Sequence, residues 1–212
     1  LWPTRVEVSP QATTPKTVAQ FKANIPNMRT KIEFLSRLLE EDDNPESRWM
    51  VFVRRKEDAE QVGKYLERKF DFGVKSIHSN KGQNSRLHAM EMFRAGEIKV
   101  LVSTDVSSRG IDIPEVDCVV NLSVLGDPHD YVHRIGRSGR AGRDGVAISI
   151  CEPEENEYIR DIENLTDQKI TVIREHPFPQ TDKPMTEAEK KEWRREKERR
   201  KQEFFAQRKK RR

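Results

Sequence analysis

Between His133 and Gly145 the chain reads HRIGRSGRAGRDG, with arginine at 134, 137, 140 and 143 and glycine at 136, 139, 142 and 145. Four glycines in so short a stretch are a poor choice for a helix interior, where each costs about 1 kcal/mol against alanine. Glycine serves instead where backbone and partner approach closely. Arginine carries a planar fork of donors that matches phosphate oxygens two at a time. A merely solvated charged face would place Lys and Glu at helical spacing without glycine. The pattern therefore points to a phosphate site. Two other stretches concentrate polar residues after apolar runs: Ser103–Asp112, STDVSSRGID, and Gln83–Arg86, QNSR, a few residues beyond His78.

Such residues need elements to hold them. Met28, Ile32, Leu35 and Leu39 recur at helical spacing and predict a helix over Met28–Glu41, ended by the EDDNPES stretch. WMVFV (Trp49–Val53) reads as a strand covered on both faces. A helix over Lys56–Phe70 turns Ala59, Val62 and Leu66 inward. Strand Val74–His78 and helix Gln83–Ala95 follow, the latter with Leu87, Met90 and Phe93 inward. Strands Lys99–Ser103 and Asp117–Leu122, a helix opening at Pro128 and strand Gly145–Ile150 come next. A helix over Glu154–Leu165 and a short edge strand near Ile170–Ile173 close the series. Strands alternating with helices imply βαβ units and a mostly parallel sheet, whose ligands bind outside the carboxyl ends of the strands. The loops His78–Gln83, Thr104–Pro114 and Ser123–Pro128 occupy those ends.

Charge divides the chain. The whole carries 40 basic and 36 acidic residues, and 36% of it is charged. Thirteen basic and six acidic residues fall in Thr186–Arg212, a net of +7, which leaves −3 for the rest. The basic isoelectric point thus speaks for the tail alone. No apolar run approaches the roughly 18 residues of a membrane span, and no secretory leader is visible. Cys118 and Cys151 have no metal-ligand or redox spacing and read as small buried residues of a reducing, cytoplasmic compartment.

The pairing of HRIGRSGRAGRDG with STDVSSRGID resembles motifs VI and V of the DEAD-box RNA helicases. Val51–Val53 stands where their motif IV would, and Gln83–Arg86 resembles their QxxR motif. Within that family the pattern resembles the bacterial RhlE-like group. The resemblance covers roughly Asn24 to Ile173 and implies a RecA-like three-layer α/β/α domain. Residues 1–23 would be an interdomain linker, 24–175 the helicase C-terminal domain, and 176–212 a proline-containing linker with the basic tail. It further implies that Arg137 and Arg140 face the γ-phosphate of ATP, one of them as an arginine finger, which can supply about 10³–10⁵ in rate. His133 would couple two domains across a cleft. Asp112 would meet the ribose, with Arg109 and Gly110 also on the nucleotide side and Arg109 tying motif V to motif VI. Gln83, Arg86, Thr104 and Asp105 would contact the RNA backbone, which positions a strand without reading its bases. A plain solvated helix start is the alternative for Gln83 and Arg86.

Three positions depart from the family pattern. Ser79 stands for a glycine after His78, Arg55 for a motif IV threonine, and Ser123 for an aspartate after the Asn121 strand. No GxxxxGK[ST] loop and no Asp-Glu-Ala-Asp run occurs. ATP and Mg²⁺ would therefore be held mainly by a separate N-terminal RecA-like domain, and the chain alone would hydrolyse nothing. Related DNA helicases and non-enzymatic RNA-annealing modules are the alternative functions. In the tail, Thr186 and Glu189 fit a capping box, and a helix to about Gln207 would be either a salt-sensitive RNA tether or a solvated charged helix.

Overall fold

A computed structural model describes residues 18–105, 115–124, 126–139, 144–176 and 178, with single positions 188 and 195. Seven strands, β1 (Val18–Asn24), β2 (Trp49–Val53), β3 (Val74–Ile77), β4 (Val100–Thr104), β5 (Cys118–Asn121), β6 (Gly145–Cys151) and β7 (Thr171–Val172), form one sheet. Its order is β3-β4-β2-β5-β6-β1-β7, and every pairing is parallel. Helices α1 (Met28–Glu40), α2 (Lys56–Lys69), α3 (Gln83–Arg94), α4 (Pro128–Ile135) and α5 (Asn156–Thr166) cross between them.

The two-residue period of the strands separates the core into layers. Trp49, Val51 and Val53 of β2 join Val100, Val102, Cys118 and Val120 under α1 and α2. Met50 and Phe52 turn the other way, with Leu101 and Val119, to meet Ala89, Met90 and Phe93 of α3. Tyr131, Ile135, Ile159 and Ile162 of α4 and α5 cover Ala147 and Cys151 on β6 and Val18 on β1. Each Val, Leu, Ile, Phe or Met among them, fully buried, is worth about 1.5–3 kcal/mol. Three layers, α/β/α, result.

The strands and helices lie within a residue or two of the expected ranges, with three differences. Residues 18–23, read as the end of a linker, are strand β1, held between β6 and β7. Their polar residues have partners instead of water. Gln20 accepts from the Tyr131 hydroxyl at 2.8 Å and donates to Gln168 at 2.7 Å, and Lys22 donates to Asn156 Oδ1 at 3.1 Å. Leu87 does not point inward but is 44% exposed, because Ala89, Met90 and Phe93 already complete the narrow stripe that α3 buries. A single 3₁₀ turn at Pro153–Glu155, with Glu152 and Glu155 as a capping box, precedes α5, so that helix starts later than expected. The tail helix lies outside the described residues, apart from positions 188 and 195. Among the described residues no helix is long and apolar enough to cross a membrane. Both cysteines are buried and free, and burial pushes the Cys118 thiol well up.

Candidate nucleotide and RNA site

Parallel pairing puts the carboxyl ends of β3, β4 and β2 side by side, with Val53 opposite Thr104 and Ile77 opposite Ser103. The segments beginning at Arg54, His78 and Asp105 therefore leave the sheet along one rim. Thr104 is the last residue of β4 and is buried. Gln83 opens α3, exposed, and its Oε1 accepts from Arg86 Nη1 at 3.2 Å. The N-cap of that helix is Gly82, which offers no capping side chain, and the first turn holds no acidic residue. Its amide donors and the positive end of its dipole suit an anion.

The turn leading to Gln83 is fixed from beneath. His78 is buried at the end of β3, and its Nε2 donates to Glu60 Oε1 at 2.8 Å. Glu60 lies on α2 and also receives Lys81 Nζ at 3.1 Å and Ser76 Oγ at 3.2 Å. The Lys81 amide donates to the His78 carbonyl at 3.0 Å. The bond from His78, aided by Lys81 and Ser76 against the cost of burial, holds the Glu60 carboxyl down at about 2. Nothing in the spacing of α2 marks Glu60 out. His78, at the end of an apolar strand, was the only available sign.

Arginine 134 occupies the centre. Asp127 caps α4 by accepting from the His129 amide at 2.9 Å, and Pro128 opens the helix. Helical side chains lean back toward the amino end of their helix. Arg134 accordingly returns from the last turn of α4 to the rim. Its Nε donates to Asp105 Oδ1 at 2.7 Å and its Nη2 to Asp105 Oδ2 at 2.5 Å. Its Nη1 donates to Asn121 Oδ1 at 3.0 Å and to the Ser123 carbonyl at 2.8 Å. The guanidinium sits 5.2 Å from the Phe52 ring centre, within cation–π range. Residues of motifs IV, V and VI thus meet on one buried side chain, a role the sequence reading did not give Arg134.

That geometry changes the place of Asp105. The resemblance put it on the RNA, yet both its carboxylate oxygens are taken by Arg134. It links motif V to motif VI, the task expected of Arg109. Ser123 joins the same link through its backbone, although the family carboxylate is missing there.

Beyond α4 the chain stays close to its own start. Val116 donates to the Arg137 carbonyl at 3.1 Å, and Ser138 bridges to Val116. Arg137, half-buried, therefore stands at the amino end of β5, away from the rim that carries Gln83 and Thr104. The rule that ligands lie at strand carboxyl ends locates only part of the candidate site. Two motif glycines have a packing role here. Gly139 has a φ of +68°, and a Cβ on Gly145 would lie 1.9 Å from Ser138 Oγ. His133 is exposed. Arg109, Gly110, Asp112 and Arg140 lie outside the described residues. Among those described, no group of three or more His, Cys, Asp or Glu side chains is gathered to hold a metal ion. Of the residues expected to face a nucleotide, Arg137 and His133 are described, and a guanidinium is a donor that fits a phosphate.

Comparison with known proteins agrees with this fold. The helicase conserved C-terminal domain family matches residues 30–142. The crystal structure of the E. coli DEAD-box protein SrmB bound to regulator of ribonuclease activity A superposes with a TM-score of 0.69 at 31% identity. The match covers 81% of this chain and 99% of that one. The chain belongs to the DEAD-box helicase C-terminal domains. This helicase domain is also 39% identical over 163 residues to the ATP-dependent RNA helicase DBP8 of Lodderomyces elongisporus, covering 77% of the chain and 36% of the relative. S. cerevisiae Dbp5 bound to RNA and ADP BeF3 matches it with a TM-score of 0.66 at 32% identity, over 74% of this chain and 41% of that one. The domain spans a little over a third of the length of the first curated relatives it matches. These relatives lend no support to the bacterial RhlE-like group, so the assignment stands at the level of the DEAD-box family.

Proposed function

We propose that this domain is the second RecA-like half of an ATP-dependent RNA helicase. The Arg134 guanidinium carries the reading, since it joins the end of β4 to the helix that leads to Arg137. Gln83, Arg86 and Thr104 then hold one RNA strand by its sugar-phosphate backbone along the rim. Arg137, Arg140 and Asp112 face the nucleotide, with Arg109 and Gly110 beside them and His133 toward the partner domain. ATP and Mg²⁺ are held mainly by an N-terminal RecA-like domain, and closure of the two domains bends and locally parts a short duplex. When bound, the nucleotide supplies the γ-phosphoryl group and its developing charge. The arginines of this domain neutralise that charge, and the rim keeps the RNA in register with it. A cytoplasmic location goes with this reading, in agreement with two buried, free thiols.

The test joins this domain to an ATP-binding RecA-like domain and measures hydrolysis with RNA, with DNA and with neither. Stimulation by RNA above DNA is expected, with no turnover from the 212-residue chain alone. Equal stimulation by DNA would favour a DNA helicase. RNA annealing by the chain alone, without ATP, would favour a non-enzymatic module.

A further inference from the structure

The segment between β5 and α4 is gripped at three consecutive residues by three charged side chains. Lys31 Nζ on α1 donates to the Leu122 carbonyl at 2.8 Å. Arg134 Nη1 donates to the Ser123 carbonyl at 2.8 Å. The Val124 amide donates to Glu155 Oε1 at 2.9 Å. Lys31 and Glu155 are themselves an ion pair, 1% and 5% exposed. Glu152 Oε1 lies 3.5 Å from the same ammonium, and Glu155 Oε2 also accepts the Glu152 amide at 2.7 Å.

This network answers the missing carboxylate at position 123. With serine there, Arg134 meets the described residues of the segment through a backbone oxygen. A backbone acceptor is placed no better than the chain that carries it. A buried ion pair is weak evidence for stability, since well-packed apolar residues of similar volume often serve as well. Its value here lies in where it holds the main chain. We propose that Lys31 and Glu155 are positioning residues for Arg134. They fix Leu122 and Val124 so that the Ser123 carbonyl faces the guanidinium and seats it on Asp105. Helix α1 and the Pro153–Glu155 turn thereby brace the junction of motifs V and VI from outside both motifs. The inference rests on the reading of Arg134 as the link between the RNA rim and Arg137.

The pair is tested by replacing both partners together, since removal of one leaves an unpaired buried charge. Lys31→Met with Glu155→Leu is made in the 212-residue chain. Thermal unfolding is recorded beside NMR hydrogen exchange of the Arg134 Nε–H and the Val124 amide. A cooperative transition is expected, with Arg134 Nε–H exchange faster by about five- to tenfold, the scale of one lost hydrogen bond. A folded double variant with the wild-type Arg134 exchange rate would overturn the proposal. Should that variant not fold, Glu155→Gln preserves volume and leaves a weaker, uncharged acceptor for Val124. It is expected to speed Arg134 exchange in the same direction, and an unchanged rate again rejects the idea. Failure of the helicase reading would appear as absent RNA-stimulated hydrolysis and would leave this signal as it is.

Discussion

Arg134 donates four hydrogen bonds to Asp105, Asn121 and Ser123 from a position 6% exposed. Removing it takes the guanidinium away from Asp105, Asn121 and the Ser123 carbonyl at once. Arg134→Ala is expected to cost about 3–5 kcal/mol, the usual consequence of breaking a buried charge pair, as read by denaturant unfolding. Arg134→Lys should recover little, because an ammonium lacks the fork that takes both Asp105 oxygens. A loss below 1 kcal/mol would deny the clamp its place. Glu60 gives a prediction with a sign. Its folded carboxyl sits near 2 against an ordinary value of 4.5. The stabilisation is thus full above about pH 4.5 and disappears as the pH falls toward 2. Glu60→Gln should flatten that acid limb of the stability curve while leaving His78 and Lys81 in place. These two side chains were the hardest to foresee. HRIGR names Arg134 without saying that it turns back into the sheet, and Glu60 looks like any exposed helical glutamate.

At the scale of elements, strand β1 shows why polar residues mislead. VAQFKAN alternates like a solvated edge, yet it lies inside the sheet because Tyr131, Gln168 and Asn156 meet its polar side chains. Tyr131→Phe leaves Gln20 Oε1 without that donor and is expected to cost about 1–3 kcal/mol. Thermal unfolding would show it, and an unchanged midpoint would mean that the strand does not depend on the bond. The apolar strands were legible because WMVFV, VLVST and CVVN are covered on both faces, so their composition alone marks them. The α1 stripe was legible for the same reason, since Ile32, Leu35 and Leu39 keep helical period. Leu87 was not, because burial on α3 depends on how little of that helix the sheet covers. The Gly139–Gly145 crossing belongs to this scale too. Gly145→Ala would drive a methyl into Ser138, and a loss of about 1–3 kcal/mol is expected from such overpacking.

At the scale of the molecule, motif and geometry divide the work. The arginines proposed for phosphate lie in one stretch of the sequence and the residues proposed for RNA in two others. The fold then separates them, with Gln83 and Thr104 on the carboxyl rim and Arg137 at the amino end of β5. Arg134 spans the gap. Communication between RNA and nucleotide would therefore pass through a side chain, not through shared proximity. The +7 tail carries a prediction of its own. If it tethers RNA, deleting Thr186–Arg212 lowers affinity and flattens its salt dependence, because fewer counterions are released. Equal slopes with and without the tail would leave it a solvated helix. The central claim is that Arg137 acts on the nucleotide while the rim holds RNA. Steady-state ATP hydrolysis with saturating RNA, by this domain joined to its ATP-binding partner domain, tests it most directly. Arg137→Ala should lower turnover by about 10³-fold or more, as loss of an arginine finger does, and leave nucleotide-free RNA binding as in the wild type. Undiminished turnover in that variant would contradict the assignment.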